Sequence, residues 1–219
     1  MAEALKLTSL PLFPLGTVLY PGGLLPLQIF EVRYLDMIGK CHKAGAPFGI
    51  ISLTEGSEVQ RLKNAGPSGD GFAQEAFGNV GTLASITEFS VPQPGLMVIR
   101  CVGTQRFEIS AREKLKHGLW IANVTRLDDD QAVPVPEDLQ RTANALGKLI
   151  KTLQERRVPE DQMPLRTPYQ LEDCGWVANR WCELLPMPVD LKQRLMELDN
   201  PLLRLELVSD ILDRTGIAL

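Results

Sequence analysis

The sequence has little of what common enzymatic chemistry needs. Gly39-Lys40 and Gly147-Lys148 are not followed by Ser or Thr, and neither pair has a glycine five residues earlier, so the chain contains no P-loop. No serine stands in a Gly-x-Ser-x-Gly motif. The two histidines, His42 and His117, give a cysteine nucleophile few possible bases. These absences argue against an ATPase and against the common hydrolases, and we expect no enzymatic activity.

Cysteine is also scarce, and its spacing does not fit metal or disulfide chemistry. Four cysteines are scattered through the chain and none forms a Cys-x-x-Cys pair: Cys41, Cys101, Cys174 and Cys182. The last two would lie about 12 Å apart on one helix, which is too far to share a zinc ion. We expect reduced thiols packed as small hydrophobic groups in a cytoplasmic protein, with no metal and no other cofactor.

Positive charge is not in excess, and no long hydrophobic run is uninterrupted. The net charge is −4 and neither half of the chain is basic, which argues against nucleic acid as a partner. Residues 7–30 carry no charge, but four prolines would break a helix there: Pro11, Pro14, Pro21 and Pro26. We therefore expect no membrane-spanning segment and no signal peptide.

Short apolar runs bounded by proline and glycine predict β-strands in the first part of the chain. The runs cover residues 7–13, 24–29, 47–53, 81–89, 96–102, 106–111 and 119–127. Turns are predicted at Pro92-Gln93-Pro94-Gly95 and at Gly103-Thr104-Gln105. One helix that ends before Gly45 interrupts the series, because five apolar residues recur at helical spacing: Phe30, Tyr34, Met37, Ile38 and Cys41. This pattern predicts a small barrel or sandwich.

Residues 128–136 mark a domain boundary. Their three aspartates and two prolines predict an exposed, stiff linker. A metal site at the aspartates is the alternative, but neighbouring side chains do not converge easily on one ion. After the linker, apolar stripes predict helices over 139–153, 171–185, 191–198 and 200–216, with Pro168 at the start of the second and Asn200-Pro201 capping the last. We expect a β unit over residues 1–127, a linker over 128–136 and a helical bundle over 137–219.

Residues 54–75 are the first candidate for recognition. A glycine-rich segment of this length between strands is either functional or mobile. Leu62, Phe72 and Phe77 are candidate contacts for a bound peptide, because a few apolar and aromatic side chains carry most interface energy. Trp176 is a fourth candidate, because it falls off the apolar stripe of its helix and is expected to be exposed.

Several motifs resemble the amino-terminal domain of Lon protease. The opening motif runs from Leu10 to Gly22 as Leu-Pro-Leu-Phe-Pro-Leu-Gly-Thr-Val-Leu-Tyr-Pro-Gly. Residues 25–34 continue the resemblance through Pro-Leu-x-Ile-Phe-Glu-x-Arg-Tyr. Weaker matches at residues 81–86, 103–109, 184–186, 192–197 and 204–205 follow in the order of the family, so that the resemblance covers nearly the whole chain.

The resemblance implies an α+β fold and a binding function. A PUA-like six-stranded β pseudo-barrel with one inserted helix would precede a bundle of about four helices. The chain would be a stand-alone Lon-domain protein that binds an unfolded or a specific polypeptide, or a component of protein quality control, without ATPase or protease parts. Four aromatic motif residues are expected in the core: Phe13, Phe30, Tyr34 and Phe107. Arg33 and Arg106 are expected to pair with acids such as Glu31.

Two other functions stay open on the sequence. PUA-like barrels suggest RNA or nucleotide binding, which predicts a basic, aromatic-lined face and an affinity that falls steeply with salt. A hydrolase with an unrecognised site is the second alternative.

Overall fold

The structure, a computed structural model, describes residues 5–55 and 75–216, without the side chain of Glu55. Leu62, Phe72 and most of the predicted recognition segment lie outside these residues. The described residues form two compact units. The first unit falls within Met1–Pro21 and Leu25–Asp128, and the second within Gly22–Leu24 and Asp129–Leu219.

The first unit consists of strands around one inserted helix. The strands are β1 (Lys6–Leu15), β2 (Leu24–Ile29), β3 (Phe48–Glu55), β4 (Ala76–Phe77), β5 (Val80–Gln93), β6 (Leu96–Lys114) and β7 (Trp120–Arg126), with α1 (Val32–Ala44) between β2 and β3. Neighbours in the sheet follow the order β1-β7-β6-β5-β3, and β1 also pairs with β3 in parallel. This last pairing closes a ring of five strands. Strand β2 adds to β6, and the two-residue β4 adds to β3.

Glycines leave room for one aromatic ring inside the barrel. Phe107 is fully buried and packs with Leu12 and other apolar residues of the strands. A Cβ atom added to Gly49 or Gly81 would lie 2.8 or 2.6 Å from Cζ of Phe107, closer than any normal contact. The ring of Phe107 therefore occupies the space that side chains at residues 49 and 81 would need.

Gly103-Thr104-Gln105 does not form the predicted turn. Strand β6 runs unbroken from Leu96 to Lys114, and its register with β5 shifts at this point. Thr82 pairs with Arg106 and Ala84 with Gly103, so two residues of β6 lie opposite one residue of β5. The sequence feature that predicted a turn is a β-bulge, in which one extra residue is inserted without reversal of the chain.

Helix α1 begins later than its apolar spacing predicts, and this changes the environment of Phe30. Glu31 is the N-cap in an extended conformation, and the predicted C-terminal stop at Gly45 is confirmed by its left-handed φ of 60°. Phe30 therefore lies between the end of β2 and the cap, outside the helical stripe. Its side chain is 56% exposed, so its predicted place in the core is wrong, whereas Phe13, Tyr34 and Phe107 are buried as expected.

Four α-helices and two short 3-10 turns build the second unit. The helices are α2 (Gln140–Glu155), α3 (Cys174–Leu184), α4 (Val189–Glu197) and α5 (Pro201–Thr215). The predicted cap of α5 is confirmed, because Oδ1 of Asn200 accepts hydrogen bonds from the backbone of Leu202 and Leu203. Pro168 does not begin α3. The helix starts at Cys174, where the Asp173 side chain accepts a hydrogen bond from the backbone N–H of Trp176.

Much of the predicted linker is hydrogen-bonded to the second unit. Asp130 pairs with the buried Arg204 of α5. The backbone of Val135 donates to the carbonyl of Glu172, and Cys174 donates to the carbonyl of Val133. The guanidinium of Arg204 explains why an aspartate lies here, since a buried cation needs a charged partner.

The α+β fold class is confirmed, with β4 as one strand more than expected. No helix in the described ranges is both long and apolar enough to cross a membrane.

Candidate functional site

An apolar groove lies on the first unit beside β2. Its volume is about 170 Å³. Seven of its nine lining residues are apolar or aromatic, and the complete set is Phe13, Leu15, Pro26, Leu27, Gln28, Ile29, Phe30, Glu31 and Tyr34. A concave surface of this composition is the usual form of a binding site.

The groove has a rigid aromatic floor and an exposed aromatic rim. The rings of Phe13 and Tyr34 are stacked with centroids 4.0 Å apart, and both side chains are buried. Phe30 at the rim is 56% exposed, and Val32 beside it is 81% exposed. Large apolar side chains that are exposed next to an apolar groove mark it as a candidate interaction site, because covering them would remove apolar surface from water.

A buried network of charges fixes the end of the groove at Glu31. The Arg33 side chain donates to Glu31 at 3.0 Å, to Glu75 at 3.2 Å and to the carbonyl of Gly118 at 2.8 Å. Glu75 also accepts a hydrogen bond from Nε1 of Trp120 at 2.7 Å. The predicted pairing of Arg33 with Glu31 is therefore confirmed, and it holds Glu31 in one position at the groove.

A second depression, of about 270 Å³, lies over β1, β6 and β7. It is lined by Ser9, Ala111, Arg112, Glu113, Ile121, Ala122 and Asn123. Its polar side chains are exposed, and none of its lining residues is one of the large exposed apolar side chains found among the described residues. Because ligand sites are predominantly apolar and concave, the groove beside β2 is the better candidate.

The cysteines do not form a reactive site. All four are buried and free, as the sequence predicts. Burial raises the pKa of the Cys101 thiol to about 12 and that of the Cys174 thiol to about 11, and it also raises the pKa of Cys41. A nucleophilic cysteine needs the opposite shift. Among the described residues, no three His, Cys, Asp or Glu side chains lie close enough together to hold a metal ion.

Two of the residues predicted from the sequence to bind a peptide, Phe77 and Trp176, do not line the groove, and the other two, Leu62 and Phe72, lie outside the described residues. Phe77 is 6% exposed and packs edge to face against Trp120, with ring centroids 5.2 Å apart. Trp176 belongs to the second unit, where it is half-buried between Tyr169 and the guanidinium of Arg180. Sequence reasoning missed the groove because the spacing of Phe30 is in phase with the buried stripe of α1, and only the start of the helix excludes it.

Comparison with known proteins agrees with this architecture. The family model of the ATP-dependent protease La (LON) substrate-binding domain matches residues 9–214. The chain belongs to the Lon substrate-binding domain family. The resemblance of its motifs to this family is thereby confirmed over nearly the whole sequence.

Two solved structures of this family are similar to the chain. The crystal structure of a Lon N-terminal domain protein from Xanthomonas campestris has 27% sequence identity and a TM-score of 0.70, and the match covers 93% of this chain and 98% of that one. The N-terminal domain of Mycobacterium avium complex Lon protease has 17% identity and a TM-score of 0.56 over 96% of this chain and all of that one, which is a likeness of fold alone. A comparison with curated proteins gave no match.

Proposed function

We propose that the protein is a non-catalytic module that binds apolar segments of polypeptides in the groove beside β2. The observation that carries the proposal is an apolar groove with a rigid aromatic floor and an aromatic residue, Phe30, exposed at its rim. Membership of a substrate-binding domain family supports the proposal. We further propose a cytoplasmic protein whose partner is an unfolded or a specific polypeptide, or a component of protein quality control.

The dimensions and composition of the groove suit an apolar side chain. A cavity of about 150 Å³ is large enough to hold benzene, and the groove measures about 170 Å³. Phe30 can fold over such a guest and lose its contact with water, which adds to the stability of the complex. Glu31 is the one charged residue of the lining, so a basic residue beside the apolar segment should be tolerated better than an acidic one.

Replacement of Phe30 by serine tests the proposal. The probe is reduced, carboxymethylated α-lactalbumin, a permanently unfolded polypeptide, followed by fluorescence anisotropy. Loss of an aromatic contact that a ligand buries costs about 2 kcal/mol, so we expect affinity to fall roughly 30-fold. Stability should change by less than about 0.5 kcal/mol, because the ring is largely exposed.

Val91→Ser is the matched control. Val91 is 53% exposed on the β5–β6 hairpin and does not line the groove. We expect this variant to bind like the wild type. Equal losses for the two variants, or no loss for Phe30→Ser, would show that the groove is not the binding site.

The residues that the sequence predicts to contact a bound peptide form a separate part of the proposal. Leu62, Phe72 and Phe77 remain proposed contacts of the first unit, and Trp176 remains a proposed contact of the second. Trp176→Ser in the same assay separates the two units: if affinity falls while Phe30→Ser has no effect, the site lies in the second unit.

The two alternative functions predict different results. RNA binding would appear as a mobility shift of structured RNA that weakens steeply between low and physiological salt. Hydrolase activity would appear in a screen of esters, peptides and phosphoesters, and it would be lost in a serine or cysteine variant.

A further inference from the structure

The groove follows one strand, and it lies along the edge of that strand. Four consecutive residues of β2, Pro26 to Ile29, line it. Because successive side chains of a strand point to opposite faces of the sheet, a pocket over one face would touch only every second residue. A pocket that touches four residues in a row flanks the edge, where the backbone itself is accessible.

Strand β2 has the composition and pairing of an edge strand. Its neighbour in the described part of the chain is β6 on one side. Pro26 lacks a backbone N–H, and proline within a sheet is confined to positions that do not donate to a neighbouring strand. The carbonyl of Leu25 points towards β6, since it accepts a hydrogen bond from the thiol of Cys101 in that strand at 3.2 Å.

These two residues set the direction in which the backbone of β2 points. Backbone groups of alternate residues in a strand face the same edge. Leu25 and Leu27 therefore face β6, whereas Pro26 and Gln28 face the groove. The N–H and the carbonyl of Gln28, together with the carbonyl of Pro26, then point away from β6, to the side where no strand of the described residues pairs with β2.

We propose that a bound polypeptide adds to the free edge of β2 as an extended strand, with every second side chain directed into the groove against Phe13 and Tyr34. The inference rests on the proposed function and specifies how the groove recognises its ligand: backbone hydrogen bonds give affinity for any sequence, and the apolar groove selects the side chain. The four lining residues of β2 span about 13 Å, enough for three or four residues of ligand.

Gln28→Pro and Gln28→Ala form the first test. Both variants remove the exposed side chain of Gln28, but only proline removes the N–H that faces the groove. With carboxymethylated α-lactalbumin as the probe, we expect Gln28→Pro to bind about fivefold more weakly than Gln28→Ala, because the two variants differ in the N–H that faces the groove. Equal affinity of two folded variants would overturn strand addition while leaving the groove as a binding site.

The second test does not depend on the folding of a variant. The probe is a nine-residue peptide of alternating leucine and threonine with a lysine at each end, synthesised with N-methyl groups either on its leucines or on its threonines. Strand addition predicts that one series loses tenfold or more in affinity, while the other stays within about twofold of the parent, because N–H groups of alternate residues face β2. Equal effects in the two series would contradict the inference. Absence of binding by both the parent peptide and the unfolded protein would instead contradict the proposed function.

Discussion

Replacement of Gly103 by alanine distinguishes the β-bulge found in the structure from the turn that the sequence predicts. In an exposed turn, as the sequence predicts, alanine would be tolerated at many positions. In the β-bulge of β6, a Cβ atom at residue 103 would lie 2.2 Å from the backbone oxygen of Tyr20 and 3.0 Å from Cγ of Leu19. The first of these distances is about 1 Å shorter than a normal contact between carbon and oxygen.

The cost of this overlap follows from what must move. Overpacking in a tightly packed region costs about 1–3 kcal/mol. The atom that Cβ would meet first belongs to the backbone of Tyr20, a fully buried residue, so rotation of a side chain cannot relieve the clash. We therefore expect a loss near the upper end of this range, about 3 kcal/mol. For a chain of this size, that loss corresponds to a fall in Tm of roughly 6–12 °C.

Differential scanning calorimetry of two glycine variants measures this effect. Gly78→Ala is the matched control, because no described atom beyond its chain neighbours lies within 4 Å of the added Cβ atom and the residue does not have a left-handed φ. We expect the Tm of this variant to stay within about 2 °C of the wild type. If Gly103→Ala loses no more than Gly78→Ala, the close approach of β6 to Tyr20 is refuted.

Two further predictions concern buried polar groups. Arg33→Met leaves the carboxylate of Glu75, which is 1% exposed, without its guanidinium partner. We expect this variant to lose about 3 kcal/mol of unfolding free energy in urea denaturation. Lys40→Ala, the control, breaks an exposed pair with Asp36 and should lose less than about 0.5 kcal/mol. Equal losses would place the Arg33 pair at the surface. Burial raises the pKa of the Cys101 thiol to about 12, so above about pH 8.5 only the unfolded state loses this proton, and the stability associated with the thiol falls as the pH rises towards 12. The stability difference between the wild type and Cys101→Ala should therefore shrink by about 2 kcal/mol from pH 8 to pH 10, and a constant difference would contradict the burial of this thiol.

Local patterns in the sequence account for much of the fold. The stripe of α1, the left-handed stop at Gly45 and the Asn200 cap of α5 depend on residues within a few positions of one another, and all three are present in the structure. The burial of the four cysteines could also be predicted, because their spacing fits neither a metal site nor a disulfide framework. These features were predictable because the chemistry that sets them lies within a turn or two of chain.

The candidate site was not predictable in the same way. Phe30 has the spacing of a core residue, but the extended conformation of Glu31 starts the helix after it and leaves its ring in water. Gly103 has the sequence context of a turn, but the approach of Tyr20 from a distant part of the chain makes it a bulge. Apolar spacing alone does not give the residue at which a helix starts, and it does not reveal which distant backbone approaches a glycine.

The sequence by itself determined the family motifs, the order of strands before helices and the absence of the common catalytic motifs. Only the tertiary structure decided that β1 closes a barrel against β3, that β2 lies beside an apolar groove with β6 as its one paired strand among the described residues, and that Asp130 pairs with Arg204 across 74 positions of sequence. The physical reason is that hydrophobic spacing and capping act within one element, whereas barrel closure, edge exposure and ion pairing depend on which distant elements occupy the neighbouring space.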